Sequence, residues 1–501
     1  MPERVTESGT EPGTDPAALR AALGEAARIV FVSGNFNVLH PGHVRLLKFA
    51  RELGDHLVVG VHPDGAPGVG APVSLRLEGV RSNRHVSHAF ALAQPVPDTI
   101  AALRPQVVVK GREHENGDNV ERAALAAYGG QLMFSSGEML LSSVSTLDDE
   151  PDPRRAGLLP RDYMARHGIG AGDLAALVRR LSGLNVVVIG DVIVDEYIDC
   201  DPLGMSQEDP TIVVTPINQK KFLGGAGIVA AHAAGLGANV TLVTVGGEDE
   251  TARFAQDKLR DYGVECAFHA DASRPTTLKQ RFRASGKTLL RVSHLRQHAV
   301  SPELGARMAA EVAERMPGTD LILFSDFNYG CLPQRLVSEV TEKANAAGVP
   351  MAADSQASSQ LSDITRFRGM RLVTPTELEA RLALKDKSSG IVVIGHKLLE
   401  EAGAEHAIIT LASEGMVINT RTGPLITDRI AALNPAPKDV AGAGDSLFCA
   451  TSLALTAGGD IWQASLLGAI AAACQVGRVG NTPLQASEVV RALGEAMGES
   501  P

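Results

Sequence analysis

Two short stretches of this 501-residue chain gather residue types that handle phosphate. In G-N-F-N-V-L-H-P-G-H, residues 34–43, His40 and His43 flank Pro41-Gly42. Two imidazoles three residues apart at a helix start would both donate to one phosphoryl group. They would add to the unpaired N–H groups and positive dipole end that such a start offers. Gly34 and Gly42 let the backbone approach a ligand closely. In K-D-V-A-G-A-G-D, residues 438–445, Gly442, Ala443 and Gly444 bring several N–H groups together as an anion hole. Asp445 follows at the first turn of an apolar helical run, where a carboxylate would take a proton from a substrate hydroxyl. Anion cradle, base and Mg2+ are the parts that phosphoryl transfer needs. The plain alternatives are a helix-capping aspartate at 445 and capping or surface histidines at 40 and 43.

The elements around each stretch are those of parallel α/β sheets. Ile29–Val32 reads as a buried strand, His43–Leu53 as a helix stopped by Gly54, and Leu57–Val61 as the next strand, together a β-α-β unit. Gln106–Lys110 and Gln131–Phe134 read as further strands. Acidic residues, prolines and mixed charge over 148–182 read as a linker with a short helix. A second α/β pattern then runs to the end, with strands at Val240–Val245, Leu321–Phe324, Arg371–Val373 and His406–Thr410, and a helix over Ser446–Leu455. Residues 1–25 read as a polar tail.

Composition limits the alternatives. Apolar residues at 44% and charged residues at 21% are the balance of an ordinary globular chain. With aromatics at only 4%, the core must be built from Ala, Val, Leu and Ile, which suits parallel sheets covered by helices. A net charge of −11 argues against nucleic acid or an anionic membrane as partner, though not against a local phosphate pocket. The 5 Cys stand far apart with no C-x-x-C pair, which argues against a zinc or disulfide framework and fits free thiols in a reducing cytoplasm. The first residues carry no apolar signal core, and Leu466–Cys474 is too short to span a membrane and reads as a buried helix.

The segment GNFNVLHPGHVRLLKFARELGD resembles the H-x-G-H segment of the cytidylyltransferase-like nucleotidyltransferases, and is most similar to the transferase half of the ADP-heptose synthesis enzymes. LVVGVHPD, Arg76 and VVVKG at Val107–Gly111 extend the resemblance over residues 28–147. It implies attack by a sugar-phosphate oxygen on the α-phosphorus of a nucleoside triphosphate, with release of pyrophosphate. His40 and His43 would hold the triphosphate, Arg51 and Lys110 would be phosphate cations, and Gly34 and Phe36 would line the nucleotide site. Two positions depart from the pattern. Asn37 replaces an acidic residue, and the C-terminal Ser-Thr-Thr element survives only as LLSSVSTL, with Ser142, Ser143, Ser145 and Thr146.

The second half resembles the PfkB, or ribokinase-like, carbohydrate kinases. GDVIVDEYI (190–198), LGGAGIVAAHAAGLGANVTLVTVGGEDE (223–250) and DVAGAGDS fall in family order over residues 184–497. The resemblance is again to the heptose-phosphate kinase half of the same enzymes, though with the two halves in reversed order. It implies that Asp195, Gly224 and Gly225 contact the sugar. Lys279 and Arg281 of a β lid would reach its distal phosphate, Asp445 would be the base, and Gly442, Ala443 and Gly444 would steady the migrating group. Family polar residues are replaced by Ile228, Tyr329, Thr376 and Leu411.

The expectation is two α/β domains, a Rossmann-like nucleotidyltransferase over 26–147 and a ribokinase-like kinase with a small β lid over 183–501. The expected activities are MgATP-dependent phosphorylation of a sugar 7-phosphate at its anomeric hydroxyl, and nucleotidyl transfer to the 1-phosphate giving an ADP-heptose-type product. A separate phosphatase must act between the two. The expected partners are sugar phosphates and ATP, with neither nucleic acid nor membrane, and a second copy of the chain through the lid. A chain with one silent half, or a non-enzymatic nucleotide-binding protein, are the rivals.

Overall fold

The computed structural model describes residues 15–37, 41–67, 69, 71–111, 119–135, 159–206, 208–209, 211–284, 287–356, 363–434 and 436–497. They form two compact units, the first essentially before residue 152 and the second after it. His40, Ser142, Ser143, Ser145 and Thr146 lie outside the described residues.

The first unit is a parallel five-stranded sheet of β1 (Ile29–Gly34), β2 (His56–Val61), β3 (His88–Ala91), β4 (Val107–Gly111) and β5 (Gln131–Ser135), in the order β3-β2-β1-β4-β5. Side chains alternate across the sheet. Val30 and Val32 therefore pack with Leu47, Ala50 and Val59 on one face, while Ile29 and Phe31 pack with Phe90, Ile100 and Leu103 on the other. Each such side chain contributes about 1.5–3 kcal/mol on full burial. The strand order reverses between β1 and β4. A crevice outside their carboxyl ends is where open α/β sheets bind ligands.

The second unit holds β6 (Asn185–Gly190), β7 (Val192–Met205), β8 (Ile212–Gly225), β9 (Asn239–Gly246), β10 (Glu265–Ala270), β11 (Thr277–Ala284), β12 (Lys287–His294), β13 (Leu321–Asp326), β14 (Met351–Ser355), β15 (Leu372–Val373), β16 (His406–Thr410), β17 (Met416–Thr420) and β18 (Thr427–Ile430). Nine of them make one sheet, β10-β9-β6-β13-β14-β15-β16-β17-β18, in which only β17 runs against the other strands. The other four make a lid sheet, β12-β11-β7-β8. The helix Ala443–Thr456 is buried along nearly its whole length, as is much of the neighbouring helix Ile461–Val476, so the apolar run at Leu466–Cys474 is core.

Two stretches differ from the sequence reading. The polar tail contains a helix, Pro16–Leu23, capped by Asp15 and anchored by buried Leu19. Where a linker with one short helix is expected, two helices stand, Arg161–Arg166 and Ala171–Arg180, packed into the second unit's core. The Tyr163 hydroxyl donates to the Trp462 carbonyl at 2.9 Å. Arg166 and His167 both meet the buried carboxylate of Asp428, which they hold below its usual range although burial works the other way. Leu174, Leu177 and Leu181 are the helical stripe that the surrounding charge obscures.

Candidate active sites

In the first unit the chain leaves β1 through Gly34 and Asn35 to Phe36, which is buried with φ of +50°. The helix Pro41–Glu52 follows. The His43 ring, in its first turn, packs 5.1 Å from that of Phe36. Lys110 ends β4, beside β1. The structure thus brings Gly34, Phe36, His43 and Lys110 to the edge where the strand order reverses. Arg76 organises this edge. Its buried guanidinium donates to the carbonyls of Asn35 (2.9 Å), His62 (2.8 Å) and Ala71 (2.7 Å) and to Asp64 (2.7 Å). Burial, together with Arg76 and Lys110, keeps the His62 imidazole below its usual pKa.

Two expected phosphate cations stand differently. Arg51 is not at this edge. It lies eight residues past His43, roughly 12 Å along the helix axis, and its guanidinium donates to the Gly54 carbonyl at the helix C-terminus. Lys110 is at the edge, but its ammonium is paired at 2.8 Å with Glu121.

In the second unit the carboxyl ends of the central strands converge with the lid. β6 ends at Gly190, and the buried Asp191 next to it accepts from the N–H groups of Phe327, Tyr329 and Cys331. Asp191 thereby fixes the loop after β13. β7 then enters the lid and carries Asp195 inward. The Gly224-Gly225 pair of β8 lies against it: a Cβ on Gly224 would collide with the Asp195 carboxylate, and one on Gly225, at φ +57°, with the Asp191 carbonyl. Both positions need glycine for that approach. The pair therefore shapes the wall that presents Asp195.

Gly442, at φ +75°, turns the chain into the helix Ala443–Thr456. The first-turn N–H groups of Gly444 and Asp445 have no partner within a helix by geometry. Nothing lies within 4 Å of where a Cβ on Gly444 would sit, so that side of the turn is open. The Asp445 carboxylate is buried and accepts from Gln356 Nε2 at 3.1 Å. Burial pushes its pKa up to about 7; Asp195 adds to the rise, while Lys279 and Gln356 oppose it. Asp445, Asp195, Lys279 and Gln356 thus share one electrostatic site.

The lid strand β11 supplies Lys279 and Arg281 on its inward face. The Lys279 ammonium stands 5.1 Å from the ring centres of both Phe327 and Tyr329. Arg281 donates to Asp195 Oδ1 at 3.3 Å and to the Tyr197 hydroxyl at 3.1 Å. The Tyr197 hydroxyl donates to Asp439 Oδ2 at 2.8 Å, and Asp439 accepts from the N–H groups of Ala441 and Gly480. The lid is therefore tied to the loop that leads into the helix Ala443–Thr456.

The four departures from the family pattern have structural explanations. Ile228 is fully buried in the core. Tyr329 places its ring beneath Lys279. Thr376 caps the helix Glu377–Ala383 in a reciprocal box with Glu379. The Leu411 N–H donates to the Gly415 carbonyl in a tight loop after β16. The first two put apolar surface where family members carry polar groups.

Sequence reasoning missed Asp191, Tyr197, Asp354, Gln356 and Asp439. Asp354 sits at the end of β14, and burial, with Glu379 and Asp445 nearby, raises its pKa well above the carboxylate range. Its only sequence signal is an Asp at the carboxyl end of an apolar run. Among the described residues no three His, Cys, Asp or Glu come together closely enough to cage a metal ion. The carboxylates of Asp354 and Glu379 stand near that of Asp445, and each already accepts a hydrogen bond, from the Thr374 hydroxyl and from the Thr376 N–H.

A crevice where the strand order reverses, and a lidded α/β cleft with an open helix start, are features that suit nucleotides and phosphates. Residues 184–487 match the pfkB family carbohydrate kinases, and residues 31–124 match the cytidylyltransferase-like family. The kinase match takes in more than half of the chain, so the protein belongs to the pfkB carbohydrate kinase family and carries a cytidylyltransferase-like domain ahead of the kinase.

Among known proteins the chain is similar to the bifunctional protein HldE of Caulobacter vibrioides, 31% identical over 65% of this chain and 67% of that one. The HldE of Pelobacter propionicus is 29% identical over 66% and 67%. The matches thus span about two thirds of these relatives. The chain is accordingly a bifunctional carbohydrate kinase and nucleotidyltransferase, with its two domains in the reverse of the HldE order. In fold it is like Escherichia coli phosphofructokinase-2, with TM-score 0.52, 15% identity, and cover of 63% of this chain and 99% of that one. Arabidopsis thaliana ribokinase gives 0.50, 18%, 62% and 99%. The five cysteines are all free thiols, and no helix among the described residues is long and apolar enough to cross a membrane.

Proposed function

We propose that the kinase half phosphorylates the anomeric hydroxyl of a heptose 7-phosphate-type sugar, and that the transferase half joins the resulting 1-phosphate to AMP from ATP, giving an ADP-heptose-type product. The observation that carries the kinase reading is Asp445. It lies in the first turn after Gly442-Ala443-Gly444, beside Asp195 and Lys279, with a pKa near 7 that suits a general base.

In the phosphoryl step Asp195 positions the sugar and Asp445 accepts the proton of the anomeric hydroxyl. The freed oxygen bonds to the γ-phosphorus of ATP as the bond to the β–γ bridging oxygen breaks, and ADP leaves. The N–H groups of the Gly442–Asp445 turn steady the phosphoryl oxygens. Asp354 and Glu379 are the residues that would hold Mg2+, which when bound neutralises charge on the ATP phosphates. Lys279, cradled by the Phe327 and Tyr329 rings, faces the same charge.

In the transferase half an oxygen of the sugar 1-phosphate attacks the α-phosphorus of ATP and pyrophosphate leaves. His40 and His43 hold the triphosphate, and the Gly34–Phe36 backbone lines the nucleotide. The two halves act in the cytoplasm, where ATP and sugar phosphates are at hand, with a phosphatase acting between them. A second copy of the chain pairs through the lid. Leu203, Met205, Ile212, Ile217 and Leu290 of that sheet are all exposed, an apolar set that a partner lid would cover.

A kinase joined to a silent transferase is the second reading, and the Lys110–Glu121 pair, which spends a phosphate cation, favours it. The test is to supply heptose 7-phosphate and MgATP, then the 1-phosphate and MgATP. ADP formation in the first reaction and pyrophosphate with an ADP-sugar in the second support the proposal. ADP without pyrophosphate selects the second reading, and neither product refutes both.

A further inference from the structure

The loop that leads into the helix Ala443–Thr456 is moored on the end of the neighbouring helix, Ile461–Val476. The carbonyl of Val476, the last residue of that helix, has no partner within the helix by geometry. It accepts the Lys438 N–H at 2.8 Å instead. One residue earlier stands Gln475, which is fully buried. Its Nε2 donates to the Ala441 carbonyl at 3.2 Å and to the Gly480 carbonyl at 3.1 Å. Its Oε1 accepts from Arg478 Nε at 3.3 Å and Nη2 at 3.1 Å. Arg478 is held in turn by Glu488 and by the Thr482 carbonyl. A side-chain amide has two donors and two acceptor positions, and Gln475 uses all of them. A buried polar network satisfied to that degree holds one geometry.

The groups that Gln475 joins are those that shape the turn. Ala441 precedes Gly442, whose φ of +75° directs the chain into the helix. A Cβ on Gly442 would stand 3.5 Å from Gln475 Nε2, so the amide lies against the turn itself. The N–H groups of Ala441 and Gly480 both donate to Asp439, at 3.1 Å each. Two carbonyl oxygens that converge on one point, beside a carboxylate, are ligands of the kind that K+ takes. Here protein donors already hold every member of that set. The Gln475 amide holds the two carbonyls, and the Tyr197 hydroxyl and the two N–H groups hold Asp439. We propose that Gln475 is a positioning residue of the kinase. Its amide fills the place a monovalent cation would take between the Ala441 and Gly480 carbonyls, and so aims the N–H groups of the Gly442–Asp445 turn at the phosphoryl group without a bound cation. This rests on the kinase reading of the second unit. Gln475 acts through Ala441 and Gly442 rather than on the reacting atoms.

The test measures ADP release from heptose 7-phosphate and MgATP in KCl and in choline chloride at equal ionic strength, for the wild-type chain, Gln475→Met and Gln475→Ala. The wild-type rate should be the same in both salts. Gln475→Met fills the same space without donors. It should lower kcat by about 10-fold or more, the scale of buried carbonyls left without a partner, and keep the KM for sugar, which the Asp195 wall governs. Gln475→Ala should lose rate likewise in choline chloride. KCl should restore it, because K+ then enters between the freed carbonyls, an entry that the methionine side chain blocks. Melting temperatures check that the variants fold.

A wild-type rate that falls about 10-fold or more in choline chloride overturns the proposal, because the amide would then not stand in for a cation. So does full activity in Gln475→Met. A loss in Gln475→Ala that KCl leaves untouched also overturns it, since Gln475 would then support the fold alone. If both variants fail to fold, the comparison of salts on the wild type decides by itself. Equilibrium binding of ATP in the two salts separates this proposal from the kinase reading. Equal affinity in both salts, with no ADP released by the wild type, would sustain the amide in its place and refute the kinase. ADP release that demands K+ would do the reverse.

Discussion

The pH dependence of sugar phosphorylation offers a test in which two substitutions must act in opposite directions. Asp445 works as a base only when ionised, and its pKa stands at about 7. Activity on sugar should therefore rise with pH through an acid limb centred near 7, and at one unit below that only about a tenth of the enzyme carries the base in working form. The causes of the shift set the signs. Asp195 adds to the rise, so Asp195→Asn should move the limb to lower pH. Lys279 opposes it, so Lys279→Met should move the limb to higher pH. A unit charge about 8 Å away, at an effective dielectric near 20, is worth roughly 2 kcal/mol, or about one pH unit after partial screening. The assay is ADP release under kcat/KM conditions from pH 5.5 to 9, where the limb reports the free enzyme. Both variants will also lose rate, because both residues face the substrate, but the position of the limb is independent of that loss. Limbs that stay put in both variants, or move in the same direction, would remove Asp445 as the titrating base.

Further outcomes follow from the buried polar groups. His232 is fully buried and accepts the Leu484 N–H at Nδ1, while its Nε2 has no partner, so burial lowers its pKa to about 3. The unfolded chain binds that proton near pH 6.5, so stability from this residue is complete above 6.5 and is lost as the pH falls toward 3, by at most about 5 kcal/mol. The fall in melting temperature of the kinase unit between pH 6.5 and 4 should flatten in His232→Asn; an unchanged slope would assign it to other groups. Arg76→Ala leaves three carbonyls and Asp64 at the nucleotide edge without their donor. It should destabilise the first unit by about 1–3 kcal/mol, since the exposed Asp64 is rehydrated while the carbonyls lose their donor, and abolish pyrophosphate release, as followed by hydrogen exchange and a pyrophosphate assay; a stable, active variant would contradict the role given to Arg76. Gly224→Ala drives a methyl group into the Asp195 carboxylate. The KM for sugar should rise about 10-fold or more, with ATP affinity kept; equal effects on both substrates would mean that the wall is not specific to the sugar.

Much of this architecture is legible from local pattern alone. The first phosphate motif follows the strand Ile29–Gly34 and the second opens the helix Ala443–Thr456, as their residue patterns predict. What the sequence hides is pairing across distance. Lys110 reads as a free cation because its partner Glu121 is eleven residues away in the chain. Arg51 reads as a site residue because it is close to His43 in sequence, yet helix geometry carries it to the far end. Arg283, Arg291 and Lys438 look like three separate surface cations until strand register and the 437–440 loop bring them to one cleft. Asp439 looks like part of the glycine turn, and only the fold shows that it ties the lid through Tyr197. The helices over 161–180 are masked by their arginines and prolines, although Tyr163, Leu174, Leu177 and Leu181 carry the apolar spacing of a buried face.

That two separate pockets share the labour is tested most directly by crossing two variants with two assays. Asp445→Ala should cut ADP release from heptose 7-phosphate by about 10²- to 10⁴-fold and leave pyrophosphate release from the 1-phosphate at the wild-type rate. His43→Ala should do the opposite. If either substitution silenced both reactions in a folded chain, or if neither silenced its own, the division of the chemistry between the two halves would be contradicted.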